Sequence, residues 1–333
     1  MSDFTVVVER GSLVESVHRL SVAVSRPDGT LVAHAGDPSL RTYWRSAAKP
    51  FQLLPLVEGG GIERFGLDRE MLALACGSHN AEPIHRDVGA RWLRALGLTE
   101  QDLACGGHPS LWPALANRMI HDDVVATPLW SNCSGKHSAL LALAVLHGWP
   151  TEGYEVSSHP VQHRVAESIA TWSGVAAESL QWGVDGCTAA AVALPLAAMA
   201  RAYARLGTAE SPALALVRDA MMAAPALVAG TDRLDTAVMS AWPERVVAKI
   251  GAEGVYSAAL PELGLGVALK VEDGEMKSAE IALVAVLDAV TARLGGAREW
   301  TAPSLDRWRT PSIRNTRGES TGRFATAGEL RFL

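Results

Sequence analysis

Strand-like segments stand at both ends of this 333-residue chain, with helical segments between them. Residues 4–9, Phe-Thr-Val-Val-Val-Glu, read as a strand, Arg10-Gly11 as a turn, and residues 14–24 as a second strand. In the second, Leu20, Val22 and Val24 alternate with smaller or polar residues. Pro27-Asp28-Gly29 is a turn, because Pro presets one dihedral and Gly allows the other, and residues 31–35 return as a third strand. Helices are expected over 47–58, over 83–96 with Gly97 as its C-cap, over 137–147 up to Gly148, and from Pro160. Two Ala/Leu-rich helices are expected over 188–206 and 211–228. Strand character returns at 246–250, 254–260 and 265–271, followed by a long amphipathic helix over 277–293. The tail 302–333 is polar and rich in breakers, and no element is assigned to it.

Runs segregated in this way predict an α+β fold; a parallel α/β sheet would need strands and helices to alternate. The expected assembly is one domain over 1–333, with an antiparallel sheet built from 1–45 and 240–333. A helical part, 46–239, is inserted, and the long C-terminal helix covers one sheet face.

A net charge of −6 without a basic face argues against a nucleic-acid partner. No apolar run reaches transmembrane length, since Pro195 interrupts the nearest candidate. The opening Met1-Ser2-Asp3-Phe4 has neither a basic nor an apolar region, so a cytoplasmic protein is expected. In that compartment Cys76, Cys105, Cys133 and Cys187, which form no CxxC pair, read as buried thiols or metal ligands.

The chemistry is expected at Arg45-Ser46-Ala47-Ala48-Lys49-Pro50. Serine and lysine three apart share one face of a helical turn. A serine hydroxyl becomes a nucleophile when a base takes its proton, and a desolvated lysine beside another cation can be that base. Pro50 suits the first turn of a helix, where N–H groups and the dipole favour an oxyanion. Ser78-His79-Asn80 lies in a loop further on, and Lys249-Ile250-Gly251 ends the first strand after the helical middle. This order resembles that of the serine β-lactamases and penicillin-binding proteins, with S-x-x-K and then K-T-G, although Ile250 replaces the usual Thr.

Six collinear segments carry a more specific resemblance: Arg10-Gly11 with Val14-Glu15-Ser16, Arg45–Pro50, Cys76–Glu82, Asn132–His137, Gly183–Cys187 and Lys249–Gly254. Together they resemble the bacterial L-asparaginase II family of the thermolabile, Rhizobium type, which is similar in fold to the serine β-lactamases and glutaminases. The resemblance implies hydrolysis of L-asparagine to L-aspartate and ammonia by two Ser–Lys tandems, Ser46 with Lys49 and Ser78 with Lys249. Ser46 is the expected nucleophile, with Ser78 as alternative or relay. The resemblance also implies a metal site at Cys133, Lys136 and Cys187, which suits zinc, and a homodimer. Without the resemblance, the same residues read as buried thiols with Lys136 facing the substrate.

Arg45 is expected to take the substrate α-carboxylate, and Asp185 and Glu82 its ammonium, with Asn80 and Lys136 also on the substrate side. His79 and His137 neighbour the site and are not assigned as bases. In Gly230–Thr236, Asp235 stands where the family can carry a further cysteine. Two other readings remain open: a penicillin-interacting serine hydrolase, and a non-catalytic protein that binds a metal or an amino acid.

Overall fold

A computed structural model describes residues 4–296 and 300–333. Met1, Ser2 and Asp3 of the opening stretch, and the part of the expected 1–333 domain at 297–299, lie outside the described residues. The chain forms two compact units. One contains the segment ending at Thr42, Pro195–Thr208 and the segment starting at Ala237; the other contains Tyr43–Leu194 and Ala209–Thr236.

The first unit holds the sheet expected from both chain ends. Thr5–Arg10 pairs antiparallel with Leu13–Ser25 on one side and with Ser320–Ala327 on the other. Leu13–Ser25 pairs in turn with Leu265–Val271, in the register Val22↔Leu269, and the sheet continues through Val255–Leu260 to Val247–Ile250. Every residue of Val255–Leu260 is buried, which requires cover on both faces of the sheet. Two helices pack on that strand and on Leu265–Val271: Leu196–Thr208 and the long C-terminal Met276–Leu294.

The second unit is mainly helical. Its centre is the helix Ser134–His147, in which every residue from Ser134 to Ala144 is buried. A helix buried all round needs neighbours on every side, and Lys49–Glu58, Arg69–Ala75, Pro83–Leu96 and Pro160–Ser173 supply them. Full burial of one side chain such as Leu141 is worth about 1.5–3 kcal/mol.

Several expectations need correction. Residues 188–206 are not one helix: Ala190–Pro195 is a strand paired with Gln181–Val184, and the helix begins at Leu196. The segment 211–228 breaks at Ala224 into Pro212–Ala223 and Pro225–Val228. The tail is ordered into strands: Ser312–Arg314 and Ser320–Ala327 extend the sheet, and Arg331–Phe332 pairs with Leu31–Ala35. A further helix, Arg69–Ala75, precedes Cys76 and is capped by the Asp68 carboxylate accepting from the Met71 N–H.

Candidate active site

The Ser46 turn starts from a backbone outlier. Arg45 has φ 55°, a left-handed conformation that costs a residue with a Cβ about 1–2 kcal/mol. Such strain persists only where the surroundings hold it. Here Trp44, wholly buried, stacks on Phe51 at 4.9 Å and anchors the turn from one side. Arg45–Ala48 forms a 3-10 turn that runs into the helix Lys49–Glu58, and the Lys49 N–H donates to Ser46 O across the junction. Ser46 is half-buried, whereas Lys49 is only 1% exposed.

The buried amine end of Lys49 reaches a second loop. It donates to Ser78 Oγ at 3.0 Å, to Gly77 O, and more weakly to Asn132 O at 3.4 Å. The loop is fixed along its backbone: Ser78 N–H donates to Val228 O, His79 N–H to Asn132 O and Asn80 N–H to Ala229 O. Gly77 allows this close approach, since a Cβ there would lie 2.8 Å from Leu227 O. His79 is locked as a neutral donor. Its Nδ1 accepts from the Ala81 N–H, so Nε2 carries the proton and donates to Ser134 Oγ at 3.0 Å. Burial, with the nearby His85, Lys49, His108 and Arg233, holds the His79 pKa well below the usual imidazole range.

Asn80 and Glu82 clasp the turn at residues 230–233. Glu82 Oε1 accepts from the Thr231 N–H at 2.8 Å and Oε2 from Thr231 Oγ1 at 2.7 Å. Asn80 Nδ2 donates to Thr231 O at 2.8 Å, while its Oδ1 accepts from Arg233 Nη1 at 3.1 Å. The same Arg233 nitrogen donates to Ser78 O at 3.3 Å. Burial raises the Glu82 pKa, but the hydrogen bonds from Thr231 and Asn80 outweigh it and leave the carboxylate below its usual value.

A third cluster joins two helix starts to the loop after Gln181–Val184. Arg45 Nε and Nη2 both donate to Asp185 Oδ1, at 3.0 and 2.9 Å. Lys136 Nζ lies 2.8 Å from Cys187 Sγ. Burial alone would lower the Lys136 pKa; Cys187, Cys133 and Asp185 reverse that and raise it above the lysine range. A hydrogen bond from Cys187 pulls the Cys133 thiol well below the thiol range, and that bond with burial pushes Cys187 up. Burial, with Lys136, pushes His137 down to about 4; its Nδ1 is 2.6 Å from the Tyr154 hydroxyl.

Among the described residues no three of His, Cys, Asp and Glu converge to hold a metal ion. The donor set at Cys133, Cys187 and Lys136 is two sulfurs and an amine, and the contacts at Cys187 bring all three together. That chemistry fits zinc with one position left open, provided the amine gives up its proton. Lys249 belongs to the other unit, where it is wholly buried on Val247–Ile250 with Nζ donating to Ile250 O at 2.8 Å. The part played by Thr231 and Arg233 was not legible in the sequence, where their turn carries no motif.

The result is an α+β chain with a buried lysine–serine contact at the mouth of a strained turn. A sequence profile described as L-asparaginase II matches residues 6–326. The chain belongs to the L-asparaginase II family, and so to the amidohydrolases that act on small molecules. A search of curated proteins finds no match. Among solved structures, a putative beta-lactamase from Bacteroides dorei is 13% identical, with a TM-score of 0.45, over 83% of this chain and 92% of that one. The native form of a protein titled Mglu is 15% identical, with a TM-score of 0.46, over 89% of this chain and 69% of that one. A beta-lactamase from Mycobacterium bovis is 15% identical, with a TM-score of 0.37, over 83% and 94%.

Proposed function

We propose that the protein hydrolyses L-asparagine to L-aspartate and ammonia through a serine acyl-enzyme. The observation that carries this reading is the contact between Lys49 Nζ and Ser78 Oγ, one turn from Ser46, in a chain of this family. Ser46 is the nucleophile in this account, because that residue is only half-buried, whereas Ser78 is 3% exposed and already accepts from Lys49. Ser46 Oγ attacks the side-chain carbonyl carbon as its proton passes through the Ser78 hydroxyl to Lys49, which acts in its neutral amine form and becomes the ammonium. The tetrahedral intermediate collapses, the C–N bond breaks, and ammonia leaves with a proton returned from the lysine side. Water then cleaves the ester and frees aspartate.

Lys249 is proposed as a second proton carrier. Arg45, Asn80, Glu82, Lys136 and Asp185 are the candidates for holding the substrate's charged and amide groups. Cys133, Cys187 and Lys136 would hold a zinc ion, which when bound supplies Lewis acidity. A cytoplasmic homodimer completes the reading; no described helix is long and apolar enough to cross a membrane.

The test is ammonia release by the purified protein from L-asparagine and L-glutamine, beside a penicillin acylation assay. Ammonia from asparagine with no penicillin adduct supports the reading. A stable penicillin adduct without ammonia release would reassign the chain to a penicillin-interacting hydrolase.

A further inference from the structure

The cations of the three clusters are not equivalent. Lys49 is buried against three oxygens, Lys136 sits on Cys187, and Arg45 faces Asp185. Arg233 differs. Its Nη1 is held by two uncharged acceptors, Ser78 O and Asn80 Oδ1. Among the described residues no carboxylate pairs with it, and its Nε and Nη2 make no hydrogen bond. The guanidinium is half-buried and close enough to His79 and His85 to lower the pKa of both.

The turn that carries Arg233 is built for placement. Gly230 has φ 110°, and a Cβ there would meet Glu82 Oε1 at 2.3 Å and Asn80 Nδ2 at 2.7 Å. Asp232 is left-handed at φ 62°, and its Oδ2 accepts from Trp112 Nε1 at 3.3 Å. Thr231 is bonded through its N–H, hydroxyl and carbonyl to Glu82 and Asn80. A strained backbone held at so many points fixes one side chain, and that side chain is a guanidinium without a counter-ion beside the Ser78 loop. The Nε/Nη2 edge of such a group matches a carboxylate bidentately.

We propose that Arg233 holds the α-carboxylate of the amino-acid substrate and so sets the preference for a free amino acid. This assignment rests on the asparagine-hydrolase reading. It differs from the sequence-based expectation for Arg45, whose Nε and Nη2 face Asp185.

The experiment compares L-asparagine with L-asparaginamide, whose α-carboxyl group is neutral, in the wild type, Arg233→Gln and Arg233→Lys. Glutamine keeps an N–H donor for Ser78 O and Asn80 Oδ1, so a merely structural role survives in Arg233→Gln. The expected result is a KM for asparagine raised about 100-fold in Arg233→Gln, with kcat within about threefold. The constants for asparaginamide stay within about threefold of wild type. Arg233→Lys keeps the charge but not the fork and falls between, near tenfold. Equal losses on both substrates, or wild-type behaviour in Arg233→Gln, overturn the proposal. If Arg233→Gln does not fold, the substrate preference of Arg233→Lys decides: an unchanged preference overturns it. A wild type that releases no ammonia from asparagine sinks the functional reading instead. The anchor then stands or falls on calorimetry with L-aspartate, where equal affinity in wild type and variant, or no binding by the wild type, overturns it.

Discussion

Lys49 Nζ lies 3.0 Å from the Ser78 hydroxyl, although the two residues are 29 apart in the chain. Lys49 stands three residues after Ser46, and its backbone N–H donates to Ser46 O, while its side chain reaches Ser78. Its donors are met by Ser78 Oγ, Gly77 O and Asn132 O. Lys49→Met therefore removes the proposed proton carrier and also takes a donor from the buried carbonyls of Gly77 and Asn132. The expected loss in kcat is about 100- to 10,000-fold, and the expected loss in stability about 1–3 kcal/mol. Steady-state kinetics and urea unfolding check both; a kcat near wild type removes Lys49 from the chemistry.

Gly230→Ala tests the clasp between the 230–233 turn and the Ser78–Glu82 loop. The added Cβ has no room beside Glu82 Oε1 and Asn80 Nδ2, and φ 110° suits only glycine. The expected cost is about 2–3 kcal/mol in unfolding free energy, with KM raised because Asn80 and Arg233 shift. Unchanged stability and KM would show that the turn tolerates displacement.

Stability should fall on mild acidification. His79 and His85 are both held below the usual imidazole range, first by burial. The unfolded chain takes up protons as the pH drops through about 6.5, while the folded chain refuses them until a lower pH. The stabilisation is thus fully present above about pH 6.5 and is lost below it, by up to about 1.4 kcal/mol per pH unit for each histidine. His85→Gln should flatten the decline measured by urea unfolding between pH 7 and 5. An identical slope in the variant would place the proton uptake elsewhere.

Removing metal from the purified protein should raise KM more than it lowers Tm. Lys136 lies in the helix Ser134–His147 and Cys133 is its N-cap, and protein neighbours bury that helix from Ser134 to Ala144; a chain of this length can bury an adequate core. Elemental analysis, then KM and Tm with and without chelator, make the test. Full activity in metal-free protein would leave the cysteines as thiols, and unfolding on chelation would make the site structural.

What was legible in the sequence follows from how local each signal is. Pro83–Leu96 and its cap at Gly97, φ 71°, were readable because proline, apolar spacing and glycine all act within one helix. Ala190–Pro195 was misread because alanine suits a helix and is silent about a buried strand; only pairing with Gln181–Val184 decides it. The tail strands depend on partners some 300 residues away, as in Val8↔Phe324, and no local pattern reports that. The Ser46–Lys49 turn was visible as spacing. The reach of Lys49 to Ser78 is a tertiary fact, and so is the placement of Arg233 by a turn without apolar periodicity.

The central claim, a serine amidohydrolase for asparagine, is tested most directly by the rate of ammonia release from L-asparagine in wild type, Ser46→Ala and Ser78→Ala measured side by side. The account predicts turnover by the wild type, none detectable for Ser46→Ala with its fold intact, and a kcat about 100-fold or more below wild type for Ser78→Ala. Ser46→Ala turning over at the wild-type rate would contradict it and move the nucleophile away from the turn at Arg45.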